Sequence, residues 1–338
     1  MIESAPIVLV YLNGFLPKYA IKNLRYMENT FHDREIYVLV NKECYKERDY
    51  KLRRTHFVLQ NSIDLVIEQM TQLTTHPNDF RYNFWNVTIA RFFALENFMM
   101  NHGIESIFHF EADVLVAPYF SFEKVEKLQN KIAFPQVSDK SAAASVFYVN
   151  GIEILTEMNQ FFIECLRKNP NLTDMSLLAT YSREYESKYV SLFSGSEISS
   201  AKSSELFDAA AFGIYLTGGD PRNSKGWIHY FKDEDAFDAK PSRYEFSLTN
   251  TNKILAKKHD SEFVIQNLHI HSKNLKYFTS SWPSKKLISQ IDQSNKMKRR
   301  EFSLSGYYSL SCGFLVRRIR KILNNLKPNF FKSNLRNQ

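Results

Sequence analysis

Short apolar runs alternate with stretches of helical spacing through the first half of the chain. Ile7 to Tyr11 (Ile-Val-Leu-Val-Tyr) predicts a buried strand that stops at Asn13-Gly14, and Pro17 to Phe31 has the period of a helix with one buried face. Ile36 to Val40 and Phe57 to Leu59 predict two further strands. Asn83 to Met100 has the length and apolar content of a packed helix, ends at His102-Gly103, and delivers the chain into a strand over Ser106 to Phe110. Ser145 to Val149 predicts another strand, Gly151 to Leu166 another helix, and Phe263 to His271 a late strand. Strands that alternate with helices predict an α/β fold, a mostly parallel sheet flanked by helices.

The pattern changes towards the carboxyl end. Ser191 to Ser204 is rich in small polar residues, which predicts a mobile loop. Lys296, Lys298, Arg299 and Arg300 mark the end of a main body spanning 1–295, with a basic helical tail over 296–338 joined through Gly306 to Gly313. Within that tail Leu315, Ile319, Ile322, Leu323 and Leu326 fall on one helical face and Arg317, Arg318, Arg320 and Lys321 on the other, until Pro328 stops the pattern. Such a helix suits either an anionic membrane surface or a packed position on the main body or a sister subunit.

Composition narrows the class. With 338 residues, 44% hydrophobic and 14% aromatic, the chain can bury one large core or a core with an appended lobe. It has no run approaching the roughly 20 apolar residues of a membrane span, and Met1-Ile2-Glu3-Ser4 lacks the features of a signal peptide, so a cytoplasmic location is expected, at the inner face of the membrane if the tail binds there. Cys44, Cys165 and Cys312 are odd in number and far apart, which offers neither a disulfide framework nor a thiolate metal cluster. The tail cations, with Lys327, Lys332 and Arg336, supply most of the formal net charge of +8, so the main body is not expected to bind nucleic acid.

The most informative segment is Phe108-His109-Phe110-Glu111-Ala112-Asp113. Strand alternation would point Glu111 and Asp113 to one side, where two like charges need a cation, and hard oxygen ligands suit Mg²⁺ or Mn²⁺. In Gln266-Asn267-Leu268-His269-Ile270-His271-Ser272-Lys273 the two histidines share one face of the expected strand; either could complete a metal shell, and Lys273 could neutralise phosphate. At the end of the first strand Tyr11, Leu12 and Asn13 could face a base and ribose, with Gly14 permitting close approach, and Arg91 could pair with a phosphate. Asp174 stands at a helix start, where capping is its simplest role. Asp208 opens a helix through Ala209, Ala210 and Gly213, and Gly218-Gly219-Asp220-Pro221 reads as an ordinary turn.

Taken together, the strand-turn-helix opening, Phe84-Trp85 with Arg91 on a helix, Glu111-Ala112-Asp113 and the late His-x-His-Ser-Lys resemble GT-A (Rossmann-like) glycosyltransferases over residues 5 to 280, most nearly bacterial transferases of capsule and O-antigen assembly. The resemblance implies a nucleotide-sugar donor and a metal held by the last acid of an Asp-x-Asp-like triplet, here Asp113, with Glu111 beside it. Likeness to glycogenin-like retaining transferases implies a late histidine ligand; the fuller His-x-x-Gly-x-x-Lys-Pro-Trp pattern is missing, which leaves His269 and His271 both open. The resemblance also implies that Asp208 enters the active site and that Asp174 contacts sugar hydroxyls or the reaction centre.

On this reading Asp208 or Asp174 would serve as general base if configuration inverts, and the leaving phosphate would take the proton if it is retained. A UDP-sugar donor, with galactose favoured, and a glycan or lipid-linked acceptor are expected, with retention favoured. Two rivals stand beside it. A sugar nucleotidyltransferase should show a Gly-rich phosphate loop near its amino terminus, where only Asn13-Gly14 occurs, and a non-catalytic membrane or nucleic-acid binding protein leaves the acids and histidines without a task.

Overall fold

Four apolar strands, β1 (Ile7–Tyr11), β2 (Ile36–Val40), β3 (Thr55–Leu59) and β4 (Ser106–Phe110), run parallel in the order β3-β2-β1-β4. The computed structural model describes residues 4–46, 50–195, 204–220 and 238–300, without the side chains of 296–300. Helices α1 (Lys18–Thr30), α2 (Lys42–Lys46), α3 (Ile63–Leu73) and α4 (Phe84–His102) lie between these strands in sequence; α1 and α4 match the helices expected over 17–31 and 83–100, and α2 and α3 are additional. Gly103, at φ 63°, closes α4 by donating its N–H to the Met99 carbonyl, the left-handed stop that His102-Gly103 signals.

Beyond β4 the chain forms β5 (Val114–Val116), α5 (Phe122–Glu126), β6 (Ile132–Ser138), β7 (Ser141–Ala142) and β8 (Val146–Asn150). Strand β8 joins the sheet antiparallel to β4, pairing Ser106 with Asn150, and β6 follows antiparallel to β8. After α6 (Ile152–Lys168) and α7 (Asp174–Glu184), β9 (Tyr189–Leu192) adds parallel to β6.

A second sheet lies outside the sequence expectation. It consists of β10 (Glu205–Phe207), β11 (Glu245–Leu248), β12 (Ile254–Lys258) and β13 (Ser261–His269) in the order β10-β13-β12-β11, with β5 also paired to β13. Helix α8 (Ala211–Thr217) follows β10, and α9 (Lys285–Arg300) ends the described chain.

Phe92, Leu95 and Phe98 of α4 pack with Ile107 of β4, Phe147 of β8, Phe162 of α6 and Tyr181 of α7 in one buried cluster. Each such side chain contributes roughly 1.5–3 kcal/mol by leaving water. On the other face of β4, Phe108 and Phe110 meet Phe120 and Phe122 in mostly edge-to-face pairs that clamp the segment after the acidic triplet.

The chain divides into two units, 1–290 and 291–338, and the candidate site lies in the first. The expected tail helix over Leu315 to Leu326, the connection Gly306 to Gly313, Cys312, and most of the loop Ser191 to Ser204 lie outside the described residues; Ser191 and Leu192 belong to β9. Among the described residues, no helix is long and apolar enough to cross a membrane.

Candidate functional site

The strand pairing itself brings the distant residues together. Strand β5 begins immediately after Asp113 and runs antiparallel to the end of β13, with His269 opposite Val114, Leu268 opposite Leu115 and Asn267 opposite Val116. The Ile270 N–H donates to the Asp113 carbonyl at 2.8 Å, which fixes that register. Helix α1 holds the same segment from another side: the buried Asn23 donates to the carbonyls of Ala112 (3.1 Å) and Val114 (2.7 Å), and the Tyr26 hydroxyl donates to that of Val116 at 2.7 Å. These two anchors carry no sequence signal beyond membership of an amphipathic helix.

Glu111 and Asp113 do face one space, but a turn rather than strand alternation achieves it. Strand β4 stops at Phe110, and the Val114 N–H donates back to the Glu111 carbonyl at 2.9 Å. His269 Nε2 then lies 3.2 Å from Asp113 Oδ1 and 3.3 Å from Glu111 Oε2. His269 Nδ1–H donates to the Ala209 carbonyl at 3.1 Å, which aims Nε2 at the two acids. Ligand atoms of Glu111, Asp113 and His269 all lie within 4.8 Å of one another, so these three could hold one metal ion. Two carboxylate oxygens and one oriented imidazole nitrogen suit a divalent cation.

His271 is not in that converging set. The late strand ends at His269 rather than His271, whose ring sits beside that of His269 with centroids 4.2 Å apart. Burial, followed by repulsion from His269, pushes His271 down to about 3 and keeps it neutral. Burial also opposes charge on His269, yet Asp113 and Glu111 outweigh it and lift that imidazole to about 9. Burial likewise resists ionisation of Asp113, but His269 and Lys273 hold it well below the usual carboxylate range.

A shell of ion pairs surrounds the three. Arg91 bridges Glu111 and Asp174 through its two terminal nitrogens. Lys273 Nζ lies 2.9 Å from Asp113 Oδ2 and 3.5 Å from Asp220 Oδ2, and Arg81 Nη1 reaches the same Asp220 oxygen at 3.6 Å. Asp220 is therefore more than part of a turn, and Arg81, which no motif marks, belongs to the same network. Pro221, Arg222 and Asn223 lie outside the described residues.

The two expected bases are already engaged. Asp174 does not cap α7; Thr173 does, accepting from Ser176 N, while Asp174 pairs with Arg91 and is pushed upward by burial. Asp208 is fully buried, and α8 begins three residues after it. Its Oδ1 accepts from Phe212 N (2.9 Å), and its Oδ2 from Gly213 N (2.8 Å) and His269 N (2.9 Å). Burial raises the Asp208 carboxyl despite these three donors. Gly213 must be glycine here, because a Cβ would lie 2.0 Å from the His269 carbonyl oxygen.

Tyr11 ends β1 and Asn13 and Gly14 follow it; β1 is next to β4 and parallel to it, so these residues share the edge that carries the acids. Asn13 Oδ1 is buried with no hydrogen-bond partner among the described residues, and the space above Gly14 is open. A separate groove of about 850 Å³, lined by Met100, Gly103, Asn130, Asn150 and Glu153, lies at the opposite edge, where β4 starts and β8 ends.

No protein-family model matches the chain, and no curated protein matches it. Among solved structures it is similar to the apo form of the glycosyltransferase GlyE of Streptococcus pneumoniae TIGR4, at 11% identity and TM-score 0.40 over 86% of this chain and 60% of that one. It is also similar to the apo form of mouse xyloside xylosyltransferase 1, at 7% identity and TM-score 0.39 over 56% and 85% of the two chains. A cytidylyltransferase from Leptospira borgpetersenii serovar Hardjo-bovis gives 9% identity and TM-score 0.33 over 56% and 75%. All three likenesses are remote.

Proposed function

We propose that the chain is a metal-dependent glycosyltransferase of GT-A type that moves a hexose from a UDP-sugar, galactose favoured, to a glycan or lipid-linked acceptor in surface-glycan assembly. The observation that carries this reading is the convergence of Glu111, Asp113 and His269 within 4.8 Å, beside Lys273 and Arg91, at the carboxyl edge of a parallel sheet. Mn²⁺ or Mg²⁺ bound there would neutralise diphosphate oxygens and stabilise the departing nucleoside diphosphate.

Charge balance supports an anionic ligand. Glu111, Asp113, Asp174 and Asp220 face the permanent cations Arg81, Arg91 and Lys273, and the His269 proton makes up the difference. Exchange of that proton for a divalent cation adds one positive charge to the cluster, which favours a diphosphate ligand. In this reading Lys273 meets phosphate, Arg91 fixes Glu111, and Asp174 positions Arg91.

Asp208 is assigned as a positioning residue for His269, since three backbone N–H groups already occupy it. With Asp174 bound to Arg91 as well, neither acid is available to deprotonate an acceptor, which favours retention with the leaving phosphate as proton acceptor. The end of β1 is the place for base and ribose, where the buried Asn13 Oδ1 awaits a donor. A nucleotidyltransferase remains the rival, and the single glycine of Leu12-Asn13-Gly14-Phe15 argues against its phosphate loop.

The test is UDP release from UDP-galactose, and from other UDP-, GDP- and CMP-sugars, with and without Mn²⁺. Metal-dependent release that is lost in Asp113→Ala, with the circular dichroism spectrum preserved, supports the reading. Release that does not change in Asp113→Ala removes Asp113 from the mechanism.

A further inference from the structure

The turn ahead of α4 carries three consecutive left-handed residues, none of them glycine: Arg81 (φ 49°), Tyr82 (φ 58°) and Asn83 (φ 62°). Each costs on the order of 1 kcal/mol or more, so the surroundings must enforce the shape. Asn83 N–H donates to the Asn78 carbonyl at 3.0 Å, Asn83 Nδ2 to Thr71 Oγ1 at 3.0 Å, and Asn86 Nδ2 to Asn83 Oδ1 at 2.6 Å. The turn turns two rings outward: Phe80 is 38% exposed and Tyr82 86%.

Behind these rings stands a ladder of flat groups. Phe80 stacks on Trp85 at 5.9 Å and 12°, Trp85 lies 5.6 Å from the His76 ring, and His76 Nε2 is hydrogen-bonded to the Leu172 carbonyl at 2.9 Å. The Arg81 guanidinium carbon lies 5.1 Å from the Phe80 centroid. From Arg81, contacts of 3.6, 3.5 and 2.9 Å lead through Asp220 and Lys273 to Asp113. The Phe80 ring and the backbone that carries Tyr82 are thus held in place, and Arg81 links them to the candidate metal centre.

We propose that Phe80 and Tyr82 form a stacking platform for a pyranose ring of the acceptor glycan, an assignment that rests on the transferase reading for the word acceptor. A flat aromatic face matches the C–H face of a sugar ring, and the exposed Asn78 and Asp79 beside it offer hydrogen bonds to the hydroxyls. Two rings fall far short of the roughly 800 Å² per partner of a stable protein interface, which favours a small polar ligand over a protein. Because the turn is held in place before anything binds, little ordering cost opposes association.

The test is binding of the full chain to an array of immobilised oligosaccharides, with Tyr82→Ala, Tyr82→Phe and the exposed apolar control Leu65→Ala, each also assayed for UDP release from UDP-galactose without acceptor. The expected result is wild-type binding to a subset of glycans, weakened about tenfold in Tyr82→Ala and within about threefold of wild type in Tyr82→Phe. Leu65→Ala should bind as wild type, and UDP release should be equal in all. A wild-type chain that binds no glycan, or Tyr82→Ala binding as wild type, overturns the platform. Tyr82-dependent glycan binding without any UDP release keeps the platform and removes the transferase reading instead.

Discussion

Lys273 Nζ lies 2.9 Å from Asp113 Oδ2, so a permanent cation sits on the carboxylate that a metal would also use. With a metal bound, the two positive charges would compete for Asp113 until an anionic ligand separated them. Lys273→Met should therefore raise Mn²⁺ affinity, by about tenfold given the short distance and partial exposure, while lowering UDP release by about a hundredfold. Weaker Mn²⁺ binding in Lys273→Met would show that the lysine supports the metal site rather than competing with it.

His269 is held by its neighbours' backbone as much as by its own ring. Gly213→Ala would place a methyl 2.0 Å from the His269 carbonyl oxygen and 2.8 Å from Asp208 Oδ2, so that either α8 or β13 has to move. The expected outcome is a loss of about 2–3 kcal/mol in stability together with loss of Mn²⁺ binding. Gly14→Ala meets no atom within 4 Å and bears only the strain of φ +78°, about 1 kcal/mol. Melting temperatures and Mn²⁺ titrations of the two variants distinguish these outcomes.

Asp208→Asn separates positioning from proton transfer. The amide nitrogen cannot accept the N–H groups that the lost oxygen accepted, so the variant should melt lower and bind Mn²⁺ more weakly. Turnover lost with both melting temperature and Mn²⁺ affinity intact would assign Asp208 to the chemistry instead.

His109, one strand position from Phe110, should give the fold a pH dependence. It is buried, its Nδ1–H donates to the Val8 carbonyl at 3.0 Å, and its Nε2 has no hydrogen-bond partner among the described residues. Burial, and then Arg91, push it from 6.5 down to about 4. Between those values the unfolded chain binds the proton and the folded chain does not, so this contribution is complete above pH 6.5 and is lost as pH falls to 4, by about 3 kcal/mol in all. His109→Asn, which keeps a donor for Val8, should flatten the dependence of stability on pH in that window. An unchanged slope by denaturant titration would place the titration elsewhere.

How much of this was legible in the sequence depended on the range of the signal. The strands at Ile7, Ile36 and Ser106 and the helices from Lys18 and Phe84 announce themselves through long apolar or periodic runs that need no partner to be read. Val114-Leu115-Val116 is too short to show a period, and with it went the second sheet and the reason His269 reaches Asp113. The acids and histidines were visible as a set, but the choice of His269 over His271 turns on where β13 ends and on the Ala209 carbonyl behind the ring. Arg81-Tyr82-Asn83 adopts a glycine-like backbone without a glycine, so nothing local marked the turn. Asn23, whose amide anchors the acidic turn, reads as one more polar residue on a helix.

The central claim is that Glu111, Asp113 and His269 hold one divalent cation. Its most direct test is a calorimetric titration of Mn²⁺ into the full chain and into Asp113→Ala, His269→Ala and His271→Ala. The expected result is one ion per wild-type chain, retained in His271→Ala and lost in the other two variants. A wild-type chain that binds no Mn²⁺, or binding that survives in His269→Ala and disappears in His271→Ala, would contradict it.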